Sequence, residues 1–383
     1  MAAIAEKLVE FVRQQYRGDE LVPLHAPQFE GREKEYLSEA IDSTMVSTIG
    51  SFVVEFENRI AEFTQAKYAV AVCNGTAALH LALMSANVGA GDEVITQSLT
   101  FIATCNAIHY CGARPVFVDV ERESLGLCPR SLREFLECET TLNREGVRQN
   151  KKTGRDIRAC VPVHNLGHPA RIDEIKEVCT EFQIALIEDA AEALGSRMNG
   201  KHVGTFGQAG VISFNGNKII TTGGGGMVLT NSEEIAIKVR HLSTTAKLPH
   251  PWLYVHDEVG FNYRMPNLNA AVGCAQVDVL DRYIDQKRAL ASKYADWCAE
   301  NDLEFFSEAK WGRSNYWLNA FFARSKSERD SILEGTNSRG IMTRPMWTPM
   351  HTQRPFKDAQ KQSLQSSEDI ESRLICVPSS PVR

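Results

Sequence analysis

Apolar positions recur at three-to-four-residue spacing over residues 1–17 and 32–42, the pattern of amphipathic helices, with the connector Val22-Pro23-Leu24-His25 between them. A third helix is expected at about 52–66, where Phe52, Phe56, Ile60 and Phe63 keep that spacing. The pattern then changes. Short apolar runs at Tyr68 to Cys73, Glu93 to Thr96, Pro115 to Asp119, Ala159 to Val163, Ile184 to Ile187 and Val211 to Phe214 alternate with helical stretches. Such runs, separated by helices, are the sequence form of βαβ units around a buried, mostly parallel sheet. The polar stretch 141–157 reads as a solvated hairpin with a turn at Lys152-Thr153-Gly154. One long helix is expected from about 267 to 298, followed by strands at Leu303 to Phe306, Tyr316 to Ala323 and Ile341 to Trp347. This change of composition divides the chain into N-terminal helices with a large domain, residues 1–285, and a small C-terminal domain, residues 286–383.

Composition narrows the function. With 383 residues, 43% hydrophobic and 23% charged, the chain can bury a large core and is no disordered scaffold. The 42 basic and 48 acidic residues leave a net charge of −6, which gives no reason to expect nucleic acid or an acidic membrane as partner. None of the ten cysteines is paired at C-x-x-C spacing, so a reducing compartment is expected. Glu6, Lys7 and Glu10 interrupt any leader-like apolar stretch, and no run of about 18 apolar residues occurs. The expected location is cytosolic, and the expected partner a small molecule.

Three segments carry candidate chemistry. In S-F-N-G-N-K-I-I-T-T-G-G-G-G-M, Lys218 lies between an apolar strand and the glycines Gly223 to Gly226. A lysine beside apolar residues loses solvation of its ammonium form, which frees the amine for a Schiff base. A Walker loop needs Ser or Thr where Ile219 stands, and a dinucleotide fingerprint needs glycine where Val228 or Leu229 stands. Both nucleotide-loop readings fail; a structural glycine turn with a surface lysine stays open. In I-A-L-I-E-D-A-A-E-A-L-G, Asp189 ends a run apolar enough for a buried strand, where open α/β sheets bind ligands. A carboxylate there needs a partner: the protonated ring nitrogen of pyridoxal phosphate is one, a helix N-terminus another.

The third segment, A-V-C-N-G-T-A-A-L-H-L-A-L, places Gly75 and Thr76 at the start of a helix, an anion site or an ordinary cap. Phe101 opens the next helix and suits either stacking on a flat ring or core packing. His164 and His168 stand at H-x3-H spacing, but Gly167 and Pro169 argue against the helix a zinc site requires, so no metal is expected.

Taken in chain order, the segment with Gly75 and Thr76, the segment with Asp189, the segment with Lys218 and then G-F-N-Y-R-M-P-N-L-N-A-A resemble the DegT/StrS-type pyridoxal-phosphate sugar aminotransferases over about residues 20–380. The resemblance implies an α/β chain of aminotransferase fold type I, with a large mostly parallel domain and a smaller α/β domain, and a homodimer sharing its active sites. Lys218 is implied as the Schiff-base lysine, Asp189 as the ring-nitrogen partner and Phe101 as the stacking ring. Gly75, Thr76 and Ser213 are implied at the cofactor phosphate, with Asn262 reaching it from the neighbouring subunit. Many relatives carry Gln or His where Glu192 stands and Glu where Gly224 stands. Glu192, the glycine run and T-R-P-M-W-T-P-M-H-T-Q resemble the branch making UDP-N-acetylbacillosamine and legionaminic-acid precursors, which aminates C4 of a UDP-2-acetamido-4-keto-2,6-dideoxyhexose with glutamate. Thr44, Met45, Val46 and Ser47 are implied near the sugar, Arg344 and His351 near the nucleotide. The alternatives are GDP-4-keto-6-deoxymannose or a dTDP-3-keto sugar as substrate, a dehydratase relative, against which Lys218 argues, and a non-enzymatic relative.

Overall fold

The computed structural model describes residues 2–382. Strands β1 (Tyr68–Val72), β2 (Glu93–Gln97), β3 (Arg114–Val118), β4 (Ile157–Val161), β5 (Ala185–Asp189), β6 (Ala209–Ser213) and β7 (Gly226–Thr230) form a seven-stranded sheet in the order β1-β7-β6-β5-β4-β2-β3. Neighbours pair in parallel except around β7, which runs antiparallel to both β1 and β6. The six expected runs are all strands. The short M-V-L-T run of β7, hidden behind the glycines, gave no such signal, although it closes the sheet at the site.

Period-two alternation sends each strand's side chains to two cores. Ala69, Ala71, Ile95, Val116, Cys160, Leu186 and Ile212 face one side, with Phe56 and Ile60 of the helix Ser51–Thr64. Val70, Val72, Val94, Ala159, Val161, Ile187 and Val211 face the other, against Leu79 and Leu83 of the helix Gly75–Ser85. Both faces are covered, which is why these strands read as continuous apolar runs rather than as alternation.

A second, antiparallel sheet takes the order Glu304–Phe305, Asn319–Phe322, Leu374–Val377, Arg344–Pro345. Three details depart from the sequence reading. The expected long helix is two, Asn267–Val277 and Leu280–Glu300, broken at Asp278 and Val279. The hairpin of residues 140–142 and 148–150 turns at 143–147, where Asn143 Oδ1 accepts from the N–H groups of Glu145 and Val147. The turn foreseen at Lys152-Thr153-Gly154 is a second one, closed by Gly154 N–H on Asn150 O. The N-terminal helix Ala2–Gln15 also departs: Leu8, Val9 and Val12 pack with Tyr294, Phe321, Ile332 and Ile375 of the C-terminal part, not with the large sheet. A division at 285 therefore separates this helix from its own core.

Candidate active site

The carboxyl ends of the parallel strands, with the loops that follow them, enclose a cavity of about 310 Å³. Register brings its parts together. Val211 of β6 pairs with Asp189 of β5, and Gly226 of β7 sits between Val72 of β1 and Ser213 of β6. A Cβ on Gly226 would lie 2.4 Å from Asn74 O, so the glycine lets β7 start directly against the cap of the Gly75–Ser85 helix. That is a packing role.

Gly75, Thr76 and Ser213 line one end of the cavity. Asn74 caps the helix, its side chain accepting from Ala77 N–H at 2.8 Å and its carbonyl from Ala78 N–H at 3.1 Å. The N–H groups of Gly75 and Thr76 have no intrahelical acceptor. A Cβ on Gly75 would stand 3.0 Å from Ser213 Cβ and 3.2 Å from its Oγ, so glycine keeps open a cradle bounded by two N–H groups and two hydroxyls. This donor set at a helix N-terminus fits a phosphate.

Asp189 is 4% exposed at the end of β5. Its Oδ2 accepts from Thr104 Oγ1 at 2.7 Å and its Oδ1 from Ala191 N–H at 3.1 Å. Burial pushes its carboxyl up, against the opposing pull of Thr104, the Ala191 N–H and Lys218. Among the described residues no cation lies within ion-pair distance of it, so the carboxylate fits a protonated ring nitrogen as partner. Phe101 is 54% exposed, its ring edge-on to Trp347 at 5.7 Å and free to stack. The core role left open for Phe101 is thereby excluded.

Lys218 lines the same cavity, in a loop closed by Lys218 N–H on Asn215 O and Thr222 N–H on Phe214 O. Its surroundings are not simply apolar. Nζ lies 4.0 Å from the centroid of the Trp317 ring and 3.6 Å from Glu192 Oε1. Glu192, buried, accepts from Leu166 N–H at 2.8 Å through its other oxygen. Burial pushes the Glu192 carboxyl up, and Lys218 draws it back down.

The remaining sequence candidates lie elsewhere in this chain. Thr44 to Ser47 are exposed, tied by the Met45 and Ser47 carbonyls to Asn267. Asn262 is exposed and bridges to Thr244. Arg344 binds Asn337 Oδ1 and Thr343 O at 2.8 Å each. His351 is buried, with Nδ1 2.8 Å from Ser98 Oγ and Nε2 3.3 Å from Glu368. His164 is engaged with the buried Glu188 at 3.2 Å, and His168 packs on Phe306 and Tyr316. Sequence reading missed Thr104, Glu188, Trp317 and Trp347. Thr104 follows Phe101 by one helical turn, and the Trp in T-R-P-M-W was in view without a role. Trp317 and Glu188 were hidden inside runs read as strand.

A cradle for phosphate, a buried carboxylate for a ring nitrogen, an exposed aromatic face and a lysine define a pyridoxal-phosphate-dependent aminotransferase of fold type I. The sequence profile of the DegT/DnrJ/EryC1/StrS aminotransferase family matches residues 27–382, and the chain belongs to that family. It is similar to the putative pyridoxal phosphate-dependent aminotransferase EpsN of Bacillus subtilis (strain 168), at 39% identity over 93% of this chain and 90% of that protein. It is similar also to the GDP-perosamine synthase of Escherichia coli O157:H7, at 37% identity over 94% of this chain and 93% of that one. Among solved structures, an aminotransferase of the family from Brucella abortus superposes with a TM-score of 0.83 at 26% identity, covering 91% of this chain and 90% of that one.

Proposed function

We propose that the enzyme moves an amino group from glutamate to C4 of a nucleotide-linked 4-keto-6-deoxyhexose. The observation that carries this reading is the similarity to a GDP-perosamine synthase over 94% of the chain, joined to a cavity with a lysine in its wall. The UDP-2-acetamido-4-keto-2,6-dideoxyhexose suggested by Glu192 and the glycine run is one substrate of this class. GDP-4-keto-6-deoxymannose is the other, and the named relative favours it. Asn215, Asn217 and Trp347 line the cavity beyond the phosphate cradle, amides and an aromatic face suited to a sugar ring.

Pyridoxal phosphate in this site supplies an aldehyde that takes up amino groups and a ring that draws electrons from the reacting carbon. Gly75, Thr76 and Ser213 would hold its phosphate, and Phe101 would offer a face to its ring. Asp189 holds a proton on its ring nitrogen throughout. Lys218 would serve as the base that takes a proton from the reacting carbon of glutamate and as the acid that delivers one to C4 of the sugar.

Incubation of purified protein and glutamate with UDP-, GDP- and dTDP-linked keto sugars, followed by mass analysis, tests the substrate. A 4-keto-6-deoxy sugar is expected to gain an amine in place of its ketone. Exchange of UDP for GDP on the same sugar is expected to change mainly KM, because the base is remote from the reacting carbon. Moving the ketone to C3 is expected to lower kcat, since the carbonyl no longer meets the amine in reacting geometry. Faster conversion of a 3-keto sugar would overturn the substrate class.

The same reading makes the enzyme a homodimer. Trp252, Tyr254 and Val259 are 75%, 80% and 81% exposed, a concentration of apolar surface that a monomer rarely leaves to water. Asn262 follows closely in the chain and does not line its own cavity, which supports a role at the partner's site. Mixing an inactive Lys218→Ala chain with an inactive Asn262→Ala chain is expected to restore part of the activity, because some heterodimers contain one intact site. Full activity in a sedimenting monomer would refute the shared site.

A further inference from the structure

Trp317 belongs to the C-terminal part of the chain, only 2% of its surface is exposed, and yet it lines the active-site cavity. It touches the lysine loop twice. Its ring centroid is 4.0 Å from Lys218 Nζ, and its Nε1–H donates to the carbonyl of Asn217, the preceding residue, at 2.7 Å. Trp317 is itself braced on both sides. Its N–H donates to Asn315 Oδ1 at 2.7 Å, and the Asn315 amide donates to the carbonyls of Glu192 and Leu194, both at 2.9 Å. Its carbonyl accepts from the fully buried Lys287 at 3.0 Å, and Lys287 also donates to Ser379 O. Burial pushes Lys287 far down towards the neutral amine, which has two N–H groups for these two carbonyls.

We propose that Trp317 is the positioning residue of Lys218: the indole fixes the loop through Asn217 and offers its face, beside Glu192, as the resting place of the side-chain nitrogen whenever it is not bonded to cofactor. A long lysine side chain has many rotamers, and only those that keep Nζ at the cavity allow prompt return to the cofactor. Asn315 gives the arrangement its coherence, since one amide sets both the Trp317 backbone and the Glu192 backbone. The inference rests on the reading above only in taking Lys218 as the bonding lysine, and needs neither glutamate nor a sugar.

The test uses cofactor-free protein and added pyridoxal phosphate. The Lys218 amine adds to the aldehyde carbon, a C=N bond replaces C=O and water leaves, and the visible absorbance of the product gives the rate. A ring face worth about 0.5–2 kcal/mol corresponds to about 2- to 30-fold, so Trp317→Leu is expected to slow attachment about tenfold. Trp317→Phe, which keeps an aromatic face and loses the N–H with the five-membered ring, is expected to slow it about two- to threefold. Affinity for pyridoxine 5′-phosphate, which has no aldehyde, is expected to stay at the wild-type value in both. Wild-type attachment by Trp317→Leu, equal slowing by Phe and Leu, or a parallel loss of pyridoxine phosphate affinity would each overturn the proposal. Trp317→Phe, the gentler change, carries the comparison with wild type if the leucine variant does not fold. If Lys218→Ala forms the same C=N bond as wild type, it is the assignment of Lys218 that fails.

Discussion

Lys218→Ala is expected to abolish turnover and, with it, the cofactor that borohydride fixes to the protein. Lys218 performs two tasks that no other side chain in the cavity wall can take over, since it is the only amine among the lining residues. Loss of proton transfer alone lowers rates by about 10²- to 10⁴-fold, and loss of the covalent bond adds to that. Purified wild-type protein is expected to be yellow and the variant colourless after dialysis. The fold should tolerate the change. The side chain is not packed in a core, and Glu192 keeps the Leu166 N–H at 2.8 Å when its cation is removed. A reducible adduct at another lysine, together with normal turnover, would show the assignment to be wrong.

The large sheet was legible in the sequence because buried parallel strands are short unbroken apolar runs, and six of its seven strands are of that kind. Strand β7 was not, since Gly226 and the glycines before it carry no side chain to mark a face; only its neighbours show that Gly226 must be small. The helix break at Asp278 and Val279 was illegible for a different reason: neither residue is a helix breaker, and the interruption is set by tertiary packing. The cofactor end of the site was readable from motifs because one strand-loop-helix unit supplies each part: Gly75 and Thr76, Asp189, Lys218. Trp317 and Asn315 arrive from 100 or so residues away in sequence, through contacts that no local pattern records. Thr44 to Ser47, placed near the sugar by resemblance, and Asn262, placed at the neighbouring subunit's cofactor phosphate, are exposed in this chain.

Asp189→Asn is expected to lower the turnover rate by upwards of about a hundredfold while leaving the fold intact. The amide keeps the shape of the carboxylate and an oxygen for the Ala191 N–H, and so preserves the local turn. It removes the negative charge that holds the ring-nitrogen proton, and loss of one such preorganised electrostatic contact costs about 3 kcal/mol or more in the transition state. On the proposed reading Gly75, Thr76 and Ser213 hold the cofactor phosphate elsewhere in the cavity, so affinity is expected to fall less than rate. Stability separates the two roles. Burial raises the Asp189 carboxyl in the cofactor-free protein. A carboxyl raised on folding stabilises the fold only while protonated, and that contribution is lost as pH rises through its folded value. Asparagine, neutral at every pH, removes the cost of ionising this buried group. Thermal melts at pH 7 without cofactor are expected to show Asp189→Asn at least as stable as wild type, whereas with cofactor the order should reverse, because only aspartate pairs with the ring nitrogen. A variant that melts lower without cofactor but turns over at the normal rate would reduce Asp189 to a turn-capping residue.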